Sequence, residues 1–272
     1  DIVAPGSLVL AASIPHSTVF GEENSSPFKI LYETSMACPH AAGVAAMLRV
    51  VHPDWSPAAI RSAMVTTANP LDNAGAPIPI RVGAKPASPL AVGSGQLDPN
   101  RAADPGLVYD AGAADYVGLL CAMNYTEEQI GTIVGSLGKH SCAASPATAG
   151  DLNYPSFIAY FDKEGSPPYR RAVREFRRTV TNVAEGAWTY TAKVVGLEGL
   201  LVSVRPRRLA FGRQYEKQGF TLRVENRRVV FGQSSYPHLL HGSLTWVDET
   251  GKHVVRSPIV ATTHDIPDDD SE

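Results

Sequence analysis

The longest unbroken apolar pattern in the chain runs from Met36 to Val51, where Ala, Val, Met and Leu recur and Arg49 is the sole formal charge. A segment that is apolar around the whole helical wheel, rather than along one stripe, predicts a helix buried on nearly all sides. Thr34 and Ser35 stand at its start as hydroxyl residues of the N-cap type. Pro39 reads as a first-turn proline, where a missing N–H costs no bond, and His52-Pro53 ends the pattern. Ser56-Pro57 has the form of a cap followed by a first-turn proline and predicts a second helix to about Ala68. Upstream, Asp1-Ile2-Val3-Ala4-Pro5-Gly6 reads as a short buried strand closed by a Pro-Gly turn. Residues 13–29 read as a surface loop, and Phe28 to Tyr32 lead into the helix.

Residues 69–100 are rich in Pro, Gly and Ala and show little periodicity. Residues 113–137 predict two short helices, beginning near Asp115-Tyr116 and at Thr126-Glu127-Glu128. Ala143 to Gly150 is small-residue linker material. From Asp151 the pattern changes to period two, as in Phe220-Thr221-Leu222-Arg223-Val224 and Leu244-Thr245-Trp246. Several short strands separated by turns over about a hundred residues predict an antiparallel sandwich. The expected organisation is a mixed α/β portion over 1–150, a β-sandwich over 151–264, and an acidic disordered tail over 265–272 that carries Asp268-Asp269-Asp270. The five arginines between Arg170 and Arg178 read as a solvated strand face.

Composition narrows the function classes. Hydrophobic content of 44% and charged content of 19% describe a globular protein, and no apolar run is long enough to cross a bilayer. Residues 1–150 hold 7 basic and 12 acidic side chains, net −5, and residues 151–272 hold 17 and 15, net +2. Neither half is basic enough for a nucleic-acid surface. Gly93-x-Gly95 lacks the third glycine and the helix that a dinucleotide site needs. His238 and His241 are spaced i, i+3, but Pro237 argues against a helix there and no Cys or carboxylate cluster stands beside them, so no metal is expected. No cofactor is expected either. The chain begins at Asp1 without a signal-peptide pattern and reads as the downstream part of something longer.

Of three cysteines, Cys38 reads as a small apolar residue inside the buried helix. Cys121 and Cys142, in a loop-rich stretch, are the plausible disulfide pair. Asn24-Ser25-Ser26 and Asn124-Tyr125-Thr126 both satisfy the glycosylation pattern. Sequons together with a disulfide favour a secreted, extracellular protein.

The run Thr34-Ser35-Met36-Ala37-Cys38-Pro39-His40-x-x-Gly43, followed by His52-Pro53-Asp54-Trp55-Ser56-Pro57-Ala58-Ala59-Ile60-Arg61-Ser62-Ala63 and Thr66-Thr67-Ala68, resembles the nucleophile region of plant subtilisin-like serine proteases. Val92 to Pro99 and Asp104 to Asp110 resemble the same family. Arg174 to Val183 and Ser257-Pro258-Ile259-Val260 resemble signature segments of its fibronectin-III-like C-terminal domain. The resemblance implies an α/β fold: the C-terminal part of a subtilisin-like parallel-sheet catalytic domain over 1–150, followed by a fibronectin-III-like antiparallel sandwich. It implies a serine endopeptidase with a protein or peptide substrate, Ser35 as nucleophile and the Ser35 backbone N–H in the oxyanion hole. It also points to the Cys121–Cys142 pairing.

In subtilases the acid, the histidine and the oxyanion-hole asparagine lie upstream of the serine, and the segment before Ser35 carries none of those motifs. A serine hydroxyl needs an adjacent base. His40 lies about 140° around the helix from Ser35, and His52 more than about 20 Å along it. His16 is the one histidine that geometry leaves open. The family carries Ser-Gly where this chain has Tyr32-Glu33, which places a bulky anion where negative charge develops during acyl transfer; the alternative is that Glu33 points to solvent and the backbone adapts. The competing function is an inactive fragment, or a non-catalytic protein-binding or inhibitory module.

Overall fold

The computed structural model describes residues 1–14, 26–80, 85–135, 142, 148–161, 172–226 and 239–262. His16, Asn24, His238 and the acidic tail lie outside the described residues.

The chain opens with a segment bridged in parallel fashion to a later one, Val3 to Gln96. An antiparallel hairpin follows, β1 (Val9–Ala12) and β2 (Phe28–Leu31), in which Leu10 pairs with Ile30. The expected loop over 13–29 thus ends inside a strand. The central helix α1 spans Thr34–Val51, and α2 spans Pro57–Thr67. Ser56 caps α2 by accepting from the Ala59 N–H at 3.0 Å, and Pro57 follows at its start. That arrangement satisfies one otherwise unpaired N–H and spares a second.

Helix α1 departs from its expected burial. Only Val44 and Leu48 are buried, while Met47, Val50 and Val51 are exposed. The reason is one-sided packing: Val44 and Leu48 join Trp55, Ala59, Ile60 and Leu97 in a small core, and Met47, Val50 and Val51 lie outside it. Cys38 is accordingly an exposed free thiol rather than a buried apolar residue. Pro39 is also placed differently. It is the sixth helical residue, so it removes the N–H that would pair with the Ser35 carbonyl one turn earlier.

Short helices α3 (Pro89–Val92) and α4 (Pro99–Ala103) lead to β3 (Leu107–Val108). Helices α5 (Ala113–Ala122) and α6 (Glu127–Val134) come next. Thr126 and Gln129 cap α6 reciprocally, Gln129 N–H to Thr126 Oγ1 at 3.2 Å and Thr126 N–H to Gln129 Oε1 at 2.9 Å.

The remaining strands are β4 (Phe157–Tyr160), β5 (Ala172–Asn182), β6 (Trp188–Gly196), β7 (Leu200–Arg205), β8 (Arg208–Phe211), β9 (Lys217–Asn226), β10 (Leu239–Asp248) and β11 (Val254–Thr262). They form two facing sheets, β4-β11-β10-β6-β8 and β3-β5-β9-β7. All pairs are antiparallel except β4 with β11. Alternation sends Phe220, Leu222 and Val224 inward from β9 to meet Leu244 and Trp246 from β10. Leu107 and Tyr109 also pack in this core, although they precede the sandwich strands by some fifty residues.

The same alternation corrects the reading of one of the five arginines, Arg178; Arg177 is exposed, and Arg170 and Arg171 lie outside the described residues. Phe176, Arg178 and Val180 share the inward face of β5, and Arg178 is only 6% exposed. Its guanidinium donates to the carbonyls of Gly150 (2.7 Å), Arg177 (2.9 Å), Tyr154 (2.9 Å) and Ser156 (3.3 Å). It also lies over the rings of Phe157 and Phe176. Burial lowers its pKa to about 10, which leaves it charged at neutral pH.

Candidate functional site

Ser35 is the second residue of α1. First-turn N–H groups have no intrahelical acceptor, and the helix dipole is positive there. The Ser35 hydroxyl is exposed, and its one hydrogen-bond partner among the described residues is Glu33 Oε2 at 3.5 Å.

Glu33 is the residue that sets the geometry. It is the N-cap of α1 with φ 113° and ψ 168°, a backbone conformation that belongs almost exclusively to glycine. Two contacts pin it. The Glu33 N–H donates to the Gly6 carbonyl at 2.8 Å, and the Glu33 carbonyl accepts from the Met36 N–H at 3.0 Å. Gly6 is needed for the first contact, because a Cβ there would lie 2.7 Å from the Glu33 oxygen. The Asp1–Gly6 segment therefore anchors the start of the helix. It is anchored in turn by Val3, whose N–H donates to Gly95 and whose carbonyl accepts from Leu97, both at 2.9 Å. Beside this junction is a cavity of about 470 Å³ lined in part by Ile2, Ala4, Glu33, Thr34, Ala37 and Cys38.

No described imidazole hydrogen-bonds the Ser35 hydroxyl. His40 Nδ1 is bonded to the Met36 carbonyl at 2.8 Å, back along its own helix. His52 stacks on Trp55 at 3.8 Å and contacts the Ala103 carbonyl. The structure joins Cys121 of α5 to Cys142 in a disulfide with Cα atoms 5.5 Å apart. Asn124 lies on the exposed turn between α5 and α6 with φ 63°, a left-handed conformation that asparagine adopts more readily than most residues.

Residues 1–101 match the subtilase family and residues 151–261 match a fibronectin type-III domain. Residues 1–101 are a subtilase segment. Over 266 residues the chain is 49% identical to a protein named subtilisin-like protease SBT3 from Solanum lycopersicum, covering 96% of this chain and 34% of that protein. It is 40% identical over 265 residues to subtilisin-like protease SBT1.5 from Arabidopsis thaliana, covering 96% of this chain and 33% of that protein. Subtilisin-like protease SBT1.6 from Arabidopsis thaliana is 40% identical over 272 residues, 97% of this chain and 34% of that protein. The chain thus spans about a third of the length of these relatives.

Proposed function

We propose that the chain is the nucleophile-bearing portion of a subtilisin-like serine endopeptidase. Ser35 attacks the scissile carbonyl of a protein or peptide substrate to form an acyl-enzyme, and its own N–H stabilises the tetrahedral oxyanion. The observation that carries this reading is the exposed Ser35 hydroxyl at the second position of an 18-residue helix, beside first-turn N–H groups. In this reading the acid, the base and the oxyanion-hole asparagine come from outside this chain; the serine's one described partner is a carboxylate, and the described His40 and His52 are bonded elsewhere. The Cys121–Cys142 bridge and the exposed Asn124 sequon suit an extracellular, glycosylated protein.

The Glu33 carboxylate beside Ser35 favours a second reading, a non-catalytic protein-binding or inhibitory module. One experiment separates the two. The chain is produced alone and also joined to the upstream segment of a plant subtilase, and each form is treated with a fluorophosphonate probe, with Ser35→Ala as control. The protease reading expects Ser35-dependent labelling in the joined form only. Labelling of neither form rejects it in favour of the non-catalytic module. Labelling of the chain alone places a base within it, and His16 is then the first residue to mutate.

A further inference from the structure

Glu33 combines two features that point in one direction. Its backbone occupies a glycine-type conformation, φ 113° and ψ 168°, held between the Gly6 carbonyl and the Met36 N–H. Strain of this kind persists only where the surroundings over-determine it, and it clusters at functional sites. Its side chain is exposed, its carboxylate lies 3.5 Å from the Ser35 hydroxyl oxygen, and it forms no ion pair among the described residues. An unpaired anion therefore stands within contact distance of the atom that meets the scissile carbonyl.

We propose that Glu33 is a specificity-determining residue that selects peptides with a cationic side chain, Lys or Arg, next to the scissile bond. The inference rests on the protease reading of Ser35. An ammonium or guanidinium group seated beside Glu33 gains a charge-assisted hydrogen bond, and it offsets the repulsion that the carboxylate exerts on the developing oxyanion. An acidic side chain in the same place faces Glu33 as a like charge. Among the described residues nearest in sequence, Lys29 lies in β2 and Arg49 lies at the far end of α1, so Glu33 is the one described formal charge between them. Charge selection at an exposed site is also sensitive to salt.

The test uses binding to the Ser35→Ala chain, so that turnover is not required. Fluorescently labelled peptides of one sequence, differing only in a central Lys, Gln or Glu, are titrated by anisotropy at low and high ionic strength. The expected result is tighter binding of the Lys peptide than the Glu peptide by about tenfold at low salt. Adding Glu33→Gln should bring the ratio to near one, and high salt should compress it in the parent. A preference that survives Glu33→Gln, an absence of preference, or an absence of peptide binding overturns the proposal. Fluorophosphonate labelling of the joined form is read separately. If it fails while the Lys preference depends on Glu33, the protease reading falls and Glu33 remains a cation-selecting contact.

Discussion

His253, immediately before β11, places Nε2 3.1 Å from Oδ1 of Asp104, which directly follows α4. This pair ties the end of α4 to the sandwich across 149 positions of sequence. The imidazole is fully buried, and its Nδ1 lies 3.0 Å from Asp248 Oδ2 on the other side. Lys252 closes the outer rim, with Nζ 2.7 Å from Asp104. Nearby, the Ser62 hydroxyl of α2 accepts from the Tyr109 N–H at 2.9 Å, and the Tyr109 hydroxyl accepts from Ser257 of β11 at 3.0 Å. The two parts of the chain are thus joined by buried polar contacts as well as by apolar packing.

Asp248 makes stability pH-dependent. Burial raises its pKa, but the Thr250 hydroxyl, the N–H groups of His253 and Thr250 and the charge of His253 outweigh it, and the carboxyl lies below its ordinary 3.8. A carboxyl depressed in the folded state stabilises the fold above the unfolded value, and that stability is lost as pH falls through the folded one. Thermal unfolding followed from pH 7 to pH 2 should show a steep loss below about pH 4. Asp248→Asn should lower stability at pH 7 by about 2 kcal/mol and flatten the acid limb. An unchanged acid limb would reject this role.

Arg178 is a buried clamp on the segment that enters the sandwich. Arg178→Met removes the donors to four backbone carbonyls and should destabilise the chain by about 3 kcal/mol in urea unfolding. Arg178→Lys should recover only part, since an ammonium lacks the planar fork. Equal stability of the Met variant and the parent would contradict the clamp.

The Glu33 backbone predicts a stabilising substitution. Its conformation costs about 1–3 kcal/mol for a residue with a Cβ, and glycine returns about 1 kcal/mol of that as unfolded-state entropy. Glu33→Gly should therefore raise stability by about 1 kcal/mol, whereas Glu33→Ala should not. A gain in the alanine variant would trace the effect to the carboxylate instead.

The bridge closes a loop of 21 residues between α5 and the segment before the sandwich. In the chain-entropy model such a loop contributes roughly 3 kcal/mol. Cys142→Ser should lower the urea midpoint accordingly, with no further loss on adding reductant.

Cys38 should react with a maleimide in the native chain within seconds to minutes, because it is exposed on α1. Protection until denaturation would show that the outer face of α1 is covered in solution.

The sequence and the structure agree where the cause is local. Ser56-Pro57 starts α2 and Thr126 starts α6, because a cap is decided by a few consecutive residues. The inward residues of β9 follow period two for the same reason. The Arg178 signal was also legible, since Phe176-x-Arg178-x-Val180 places the arginine on the apolar face of its strand. The clustering of charge around it pointed to solvent, and what overrides that is a set of carbonyls from residues 150–156 that only the folded chain supplies.

The resemblance singled out Ser35 and the replacement of glycine by Glu33, yet the strain at Glu33 emerges only when Gly6 grips its N–H from across the hairpin. By itself, the sequence determined the helix starts, the alternating strands and the subtilase-like motif, all of which are short-range in cause. The tertiary structure alone decided which face of α1 is covered, where β1 meets β2, and how Asp104 finds His253. Those outcomes depend on surfaces brought together from distant parts of the chain, and the pattern of any one segment carries no record of its partner.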